Sequence, residues 1–223
     1  MATLKISMAC WQVASEESTR RKVSAARRFG VTTCAGGGPF EVAVTMGRLN
    51  EYLDLCADIG FVRIEAGEGF TDSGLDPTAV VSAAESRGLE VQFEMGKKHE
   101  GSFTGDVVQD LIDQGSRWLD GGAKLLVVEA RECAVEVGVF DDHGALDNGL
   151  ADRFVEAFGL PLTLFEAPDK YSQFSLINHF GGTVRLGNVR LEEILRVEIY
   201  RRGLHSDAFQ YPNLRPSGPP TAD

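Results

Sequence analysis

Seven short apolar segments alternate with amphipathic segments along the chain, and this alternation limits the possible folds more than any other feature. The short segments are apolar or rich in β-branched residues, which predicts strands, and the segments between them show helical periodicity. The predicted strands are residues 4–9, 31–36, 61–66, 90–95, 124–130, 162–167 and 183–188. Because each strand is followed by a segment that can cross back as a helix, the sequence predicts an α/β fold with a parallel sheet.

The spacing of these βα units favours a (β/α) barrel of the TIM type over an open doubly wound sheet. The repeat length is close to the roughly 31 residues per unit of a 250-residue barrel with eight units. We count seven units, and no segment before Lys5 supplies another, so the first unit is expected to be missing. We expect one barrel domain over residues 1–208 and a flexible, proline-rich tail over residues 209–223.

Two of the predicted helices carry clear end signals. Residues 41–58 place apolar side chains at helical spacing, and Gly60 follows as a stop. Asp76 and Pro77 open another helix as a capping residue followed by proline in the first helical position. Further helices are predicted near residues 104–119, 150–158, 170–180 and 190–202.

Charge and composition exclude several classes of function. The net charge of −11 argues against nucleic acid or an anionic membrane as the main partner. No apolar run reaches the roughly 18 residues that span a bilayer, and the first residues do not read as a signal peptide. Because Cys10, Cys34, Cys56 and Cys133 lack C-x-x-C spacing, we expect reduced, mostly buried thiols in a cytoplasmic protein.

A glutamate stands at the end of four predicted strands. These residues are Glu65, Glu94, Glu129 and Glu166, and Asn188 takes the matching place in the last strand. In a parallel barrel these ends lie on one face, where active sites are found. Clustered carboxylates repel one another unless cations neutralise them, and Mg²⁺ prefers such oxygen ligands. A single glutamate would be read as a helix cap, but the set predicts an active site in which nearby basic residues, protonation or a divalent ion such as Mg²⁺ balances the carboxylates.

Basic and glycine residues accompany these strand ends. Lys97, Lys98, Arg131 and Lys170 each follow a strand-end glutamate closely. Arg63, two residues before Glu65, is either paired with a carboxylate inside the barrel or shows that the predicted alternation is shifted by one residue. The glycines at 36–38, 181–182 and 187 mark loops whose backbone N–H groups can bind phosphate or carboxylate oxygens. We expect Lys5, Gly36, Gly37, Gly187 and Asn188 to bind the substrate.

Several short motifs resemble those of the phosphosulfolactate synthase family. Residues 94–98 (EMGKK) resemble the family's E-V-G-K-K, and residues 129–133 (EAREC) resemble E-A-R-E-S. Residues 165–168 (FEAP), with Gln173 behind them, resemble F-E-A-P, and residues 186–189 (LGNV) resemble L-G-N-I. Matches at residues 36–41 and 198–204 extend the resemblance from about residue 4 to residue 208.

The resemblance implies a (β/α) barrel enzyme that adds sulfite to phosphoenolpyruvate with Mg²⁺. It implies that Glu65, Glu94, Glu129 and Glu166 hold the metal ion. Lys97 would then be the general acid, with Lys98 as the alternate or as a charge clamp, and Arg131 would grip the carboxylate or phosphate.

Departures from the family motifs leave the substrate open. The family's threonine is replaced by Gly38, its asparagine by Arg185, and its N-terminal basic strand is absent. Besides the lyase, two alternatives remain: a cyclase or isomerase of secondary metabolism that uses the same carboxylates and lysine, and a non-catalytic stress-protective or binding protein. We expect a homo-oligomer, since an exposed parallel edge is an aggregation hazard.

Overall fold

The computed structural model describes residues 3–71 and 73–215. The chain divides into two compact units. The first unit contains Met1–His99 and Asp106–Glu129, and the second contains Glu100–Gly105 and Ala130–Asp223. Each unit is described separately below.

The described residues of the first unit form five parallel strands that pair in sequence order. They are β1 (Thr3–Ile6), β2 (Thr32–Ala35), β3 (Arg63–Gly67), β4 (Glu90–Met95) and β5 (Leu125–Val128). The helices between them are α1 (Cys10–Val13), α2 (Glu16–Arg28), α3 (Gly38–Thr45), α4 (Leu49–Ile59), α5 (Pro77–Glu85) and α6 (Gly105–Asp120), the last of which follows β4.

The core of the first unit is apolar and aromatic. Ile64 of β3 and Leu126 of β5 are completely buried, and Phe93 of β4 stacks on Trp118 of α6 with ring centroids 4.4 Å apart. A stacked aromatic pair adds about 0.5–1.5 kcal/mol to the burial of its surface. This packing holds helix against strand and fixes the side chains that emerge where the strands end.

The second unit has two parallel strands, β6 (Thr163–Glu166) and β7 (Arg185–Gly187). Its helices are α7 (Asn148–Phe158), α8 (Lys170–Phe180) and α9 (Ile194–Arg201), with short 3-10 turns at Leu191–Glu193, Ser206–Gln210 and Pro212–Leu214. Asp169 caps α8 by accepting hydrogen bonds from the backbone N–H groups of Tyr171 and Ser172.

The predicted α/β fold is confirmed, and all seven predicted strands are present. Each observed strand overlaps its predicted segment, and every strand pair named above is parallel, as a TIM-type barrel requires. Closure of a barrel and the loss of its first unit stay predictions. Of the predicted tail, residues 209–215 include 3-10 turns in which Leu214 is buried, and residues 216–223 lie outside the described residues.

The prediction of one helix over residues 41–58 is wrong, because the chain forms two helices there. α3 ends at Thr45 and α4 begins at Leu49. Gly47 between them has a φ of 66°, a left-handed conformation that glycine adopts without steric cost. The stop at Gly60 is confirmed by its φ of 97°, and the cap at Asp76 by its hydrogen bond from the Thr78 N–H.

In the described part of the chain, no helix is both long enough and apolar enough to cross a membrane.

Candidate active site

Three of the four predicted glutamates lie in the first unit, at the ends of neighbouring strands. Glu65 belongs to β3, Glu94 to β4, and Glu129 follows the last residue of β5. Their exposed fractions are 1%, 3% and 1%. Three carboxylates buried to this degree need cations or hydrogen-bond donors, since burying an unpaired charge costs several kcal/mol.

Lys98 supplies a cation for two of these carboxylates. Its ammonium nitrogen donates to Oε2 of Glu94 at 3.0 Å and to Oε2 of Glu129 at 2.9 Å. Burial alone would lower the pKa of Lys98, but the charges of Glu94 and Glu129 and their hydrogen bonds outweigh it and raise that pKa above its ordinary value. Lys98 is therefore a fixed positive charge at neutral pH.

Lys5 takes the corresponding place beside Glu65. Its ammonium donates to the two carboxylate oxygens at 3.0 and 3.1 Å, and it lies 3.9 Å from Oε1 of Glu94. The Gly37 N–H donates to Oε1 of Glu65 at 3.1 Å, and Gln92 donates to Oε2 at 2.8 Å. Each oxygen of Glu65 thus accepts two hydrogen bonds, about as many as a carboxylate oxygen can accept. This arrangement favours a structural role for Glu65 over metal ligation.

Arg63 is paired, which resolves the question that its position raised. It is a register partner of Glu90 on the neighbouring strand β4, and its guanidinium donates to Oε2 of Glu90 at 3.0 and 2.5 Å. The two residues are held next to each other by the parallel ladder. The predicted strand alternation is therefore consistent with an arginine two residues before Glu65.

Two further polar residues of this region were not predicted as site residues. Gln92 lies two positions before Glu94 on β4, so both side chains point to the same face, and this alternation could have indicated Gln92. Glu41 lies in the first turn of α3 and is 1% exposed. Glu41 ends the segment 36–41, which resembles a motif of the family, but the residue pattern of this segment does not indicate that the Glu41 side chain is buried.

The remaining glutamate, Glu166, lies in the second unit at the end of β6. It is 2% exposed, and its Oε2 accepts a hydrogen bond from the Ala130 N–H at 3.2 Å. The next residue, Ala167, donates its N–H to the carbonyl of Gly187 at 2.9 Å. The prediction that all four glutamates share one metal ion stays a prediction.

Arg131 and Asn188 of the second unit contact each other, and both have an unusual backbone conformation. Their φ angles are 56° and 53°, in the left-handed region that few residues other than glycine adopt. The side-chain amide of Asn188 donates to the Arg131 carbonyl at 3.3 Å, while the residue Arg131 is exposed. Asparagine tolerates this region, but for Arg131 such a conformation persists only where surrounding contacts enforce it, and strain of this kind concentrates at functional sites.

The other residues named from the sequence have varied environments. Lys97 is half-buried, and Lys170 forms an ion pair of 2.8 Å with Asp207 in the second unit. Cys34 and Cys56 are buried, and burial raises the pKa of Cys56 to about 12. The expectation of mostly buried thiols is wrong for the other two cysteines, Cys10 and Cys133, which are exposed.

The structure thus brings predicted site residues into contact within each unit. In the first unit these are Lys5, Gly37, Glu65, Glu94, Lys98 and Glu129. In the second unit they form two separate contacts, Arg131 with Asn188, and Glu166 with the backbone next to Arg131. Gly36 donates its N–H to the Ile6 carbonyl, which is a structural contact between β1 and β2.

Comparison with known proteins identifies the family. The family model described as (2R)-phospho-3-sulfolactate synthase (ComA) matches residues 1–207. The phosphosulfolactate synthase of Methanocaldococcus jannaschii is 30% identical over 198 residues, which cover 88% of this chain and 79% of that protein. The synthases of Methanothermobacter thermautotrophicus and Bacillus subtilis are 28% and 26% identical, covering 89% and 84% of this chain and 77% and 75% of their own lengths. The chain therefore belongs to the (2R)-phospho-3-sulfolactate synthase family, a family of enzymes of the carbon–sulfur lyase type.

Proposed function

We propose that the chain adds a nucleophile, sulfite in the family, to phosphoenolpyruvate or a related unsaturated acid, with Mg²⁺. Membership of the family supports the lyase class and a small-molecule substrate. The observation that carries the proposal is the pair of buried carboxylates, Glu94 and Glu129, that converge on the Lys98 ammonium at 3.0 and 2.9 Å. This arrangement concentrates charge at strand ends, where α/β enzymes place their chemistry.

The donor chemistry of this region fits a hard divalent cation. Oxygens of Glu94 and Glu129 both lie within 3.0 Å of one nitrogen, so two carboxylates already face a shared cation. We propose these two residues as metal ligands from the first unit, because the oxygens of Glu65 are fully engaged. The chemistry that a bound Mg²⁺ supplies is stabilisation of the negative charge that develops on the substrate carboxylate.

The proposed reaction forms one carbon–sulfur bond and one carbon–hydrogen bond. The sulfur lone pair of sulfite attacks the CH₂ carbon of the enol ester, and the electrons of the double bond move towards the carboxylate. A proton is then delivered to the neighbouring carbon.

We assign this proton transfer to Lys97. A general acid works best with a pKa near the working pH, and the raised pKa of Lys98 disfavours it as a donor. Lys98 then acts as the charge clamp. From the resemblance we also assign Arg131 to binding the anionic substrate, since its planar guanidinium suits carboxylate and phosphate groups.

The test is to incubate the protein with sulfite, phosphoenolpyruvate and Mg²⁺ and to follow the product by mass spectrometry. We expect phosphosulfolactate from the wild type and none from Lys97→Ala. Lys124→Ala, which removes an exposed lysine paired with Glu85, should leave the yield unchanged. Absence of product, together with no thermal shift on adding phosphoenolpyruvate, would overturn the assignment of these substrates.

The internal pairing of carboxylates with lysines also fits the second candidate, a cyclase or isomerase that works by proton transfer. Lys5 pairs with Glu65 and Lys98 pairs with Glu129, so each of these two carboxylates has a lysine as a counter-ion. Turnover that survives complete removal of divalent ions by a chelator would favour this candidate. Turnover that is lost with the chelator and restored by Mg²⁺ would favour the lyase.

We also propose that the protein forms a homo-oligomer, because uncovered strand edges promote aggregation. The mass of the protein in solution tests this. A mass that corresponds only to the monomer at working concentration would contradict it.

A further inference from the structure

Glu41 is a buried carboxylate that holds the loop after β3. Its Oε2 accepts a hydrogen bond from the Phe70 N–H at 3.0 Å and another from the Thr71 hydroxyl at 3.1 Å. Its other oxygen, Oε1, is buried and has no hydrogen-bond partner among the described residues. A buried acceptor without a partner lowers stability. The loop is therefore held by a carboxylate that is itself almost completely buried.

The loop that Glu41 holds lies directly against Lys98. The Gly69 carbonyl accepts a hydrogen bond from the Lys98 N–H at 2.9 Å. A Cβ atom on Gly69 would lie 3.1 Å from Cε and 3.2 Å from Cγ of Lys98, and 3.4 Å from Oε1 of Glu41. Residue 69 therefore stands between the carboxylate of Glu41 and the aliphatic stem of Lys98, with no room for a side chain unless its neighbours shift.

These contacts connect Glu41 to the ammonium of Lys98 in two steps. Glu41 holds Phe70 and Thr71, and the adjoining Gly69 accepts a hydrogen bond from the Lys98 N–H and lies beside the stem of Lys98. The stem in turn places the ammonium within 3.0 Å of the carboxylates of Glu94 and Glu129.

We propose that Glu41 is a positioning residue that holds the Lys98 ammonium between Glu94 and Glu129 through residues 69–71. Its importance for turnover rests on the proposed function, in which Lys98 is the charge clamp. The placement of the ammonium can be tested without any assay of turnover, so the two proposals can fail separately.

The second half of the same loop offers a matched control. Glu68 accepts hydrogen bonds from the Ser73 hydroxyl at 3.1 Å, the Leu75 N–H at 3.4 Å and the Gln114 amide at 2.9 Å. Glu68 and Glu41 are thus two carboxylates that pin one loop. Of these two carboxylates, Glu41 is the one whose hydrogen bonds reach Phe70 and Thr71.

The experiment measures how fast an amine-acylating reagent modifies Lys98, with tandem mass spectrometry to separate Lys98 from Lys97. In Glu41→Ala we expect labelling of Lys98 to be about tenfold faster than in the wild type, because a charge-assisted anchor is lost. Glu41→Gln, which keeps one acceptor oxygen, should label no more than about threefold faster. Glu68→Ala should label at the wild-type rate.

A second variant, Thr71→Val, tests the same proposal if Glu41→Ala does not fold. It removes one of the two hydrogen bonds to Glu41 and keeps the shape of the side chain, so Lys98 labelling should rise about twofold to threefold. Wild-type labelling of Lys98 in Glu41→Ala or, where that variant does not fold, in Thr71→Val would overturn the proposal. An increase in Glu68→Ala equal to that in Glu41→Ala would also overturn it, since the effect would then belong to the loop as a whole.

Discussion

Two polar networks among the described residues, one in each unit, differ in how their charges balance. The first, which we call the lysine–carboxylate network, consists of Lys5, Glu65, Gln92, Glu94, Lys98 and Glu129. The second, which we call the glutamine–arginine network, consists of Gln173, Glu193 and Arg196. The first contains three carboxylates and two ammonium groups, whereas the second contains one carboxylate, one guanidinium and one amide.

The glutamine–arginine network contains one positive and one negative charge, and the buried Nε of Arg196 has no hydrogen-bond partner among the described residues. Gln173 of α8 is completely buried and donates to the Ala167 carbonyl at 3.1 Å and to Glu193 at 3.0 Å. Arg196 of α9 donates to Gln173 at 2.9 Å and to Glu193 at 2.8 Å. Charge is balanced within these three side chains, and they connect the end of β6 to the start of α9.

The lysine–carboxylate network keeps one negative charge in excess within its own side chains. Buried carboxylates need cations or hydrogen-bond donors around them, and their oxygens are of the kind that a hard divalent cation prefers. The comparison therefore sets a network with more carboxylates than cations beside one with equal numbers of the two. The predictions below test this difference, beginning with the largest expected effect.

Replacing Lys98 with methionine should destabilise the first unit strongly. The change leaves Glu94 and Glu129, which are 3% and 1% exposed, without their shared ammonium. Breaking a buried ion pair in this way typically costs about 3–5 kcal/mol of unfolding free energy. Urea denaturation of the wild type and of Lys98→Met measures the difference.

Lys124→Met is the matched control for this loss. Lys124 pairs with Glu85 at 3.2 Å, but both side chains are about half exposed. Exposed pairs contribute at most about 1 kcal/mol, so this variant should lie close to the wild type. Equal losses in the two variants would show that the burial of the lysine–carboxylate network has no energetic consequence.

Alanine at Gly36 should destabilise the protein more than alanine at Gly187, the corresponding glycine of the second unit. A Cβ at Gly36 would lie 2.8 Å from the backbone nitrogen of Met8 and 3.1 Å from the Ile6 carbonyl. A Cβ at Gly187 would lie 2.5 Å from Cδ2 of Leu164, the end of a half-buried side chain that can rotate away. We expect a loss of about 1–3 kcal/mol for Gly36→Ala and of no more than about 1 kcal/mol for Gly187→Ala.

Gly38→Ala serves as the control for the first of these changes, with thermal unfolding as the measurement. A Cβ on Gly38 would have no atom within 4 Å, and Gly38 is the first residue of α3. The variant should therefore be neutral or slightly more stable. A loss for Gly36→Ala no larger than that for Gly38→Ala would contradict the tight contact between β1 and β2.

The positions of the strand-end glutamates were predictable from two local patterns, the apolar run that marks each strand and the polar residue that ends it. An apolar strand buries its length, and the polar residue at its end faces the loops. The observed bounds of β4 match the predicted residues 90–95. The break between α3 and α4 was hidden, since apolar residues continue at helical spacing across Gly47, although Val42 and Met46 are exposed.

The pairing within each network was not predictable from the sequence. Lys97 and Lys98 are adjacent lysines, and only the course of the loop decides which ammonium lies between Glu94 and Glu129. Glu41 reaches residues 70 and 71 from a helix about 30 positions away, and no local pattern reports such a contact. Long-range pairing depends on tertiary packing, which single-sequence patterns do not contain.

The smallest expected effect concerns the pH dependence of the glutamine–arginine network. Burial alone would raise the pKa of Glu193, but hydrogen bonds from Gln173 and Arg196 outweigh it and lower that pKa below the ordinary value. The folded state therefore favours the carboxylate form. The stabilisation is complete above the ordinary glutamate pKa of about 4.3 and is lost as the pH falls through the lowered pKa.

Glu193→Gln removes this titration, so its stability relative to the wild type should depend on pH. We expect the wild type to be more stable by about 1 kcal/mol at pH 7, and we expect the difference to shrink below about pH 4. Urea denaturation at several pH values measures it, with Glu192→Gln, a change at the exposed neighbouring position, as the control. A difference that stays constant into the acid range would mean that the charge of Glu193 adds nothing to its hydrogen bonds. The glutamine–arginine network would then be held by hydrogen bonds that a neutral side chain can also make. Its difference from the lysine–carboxylate network, which depends on charge, would then be larger.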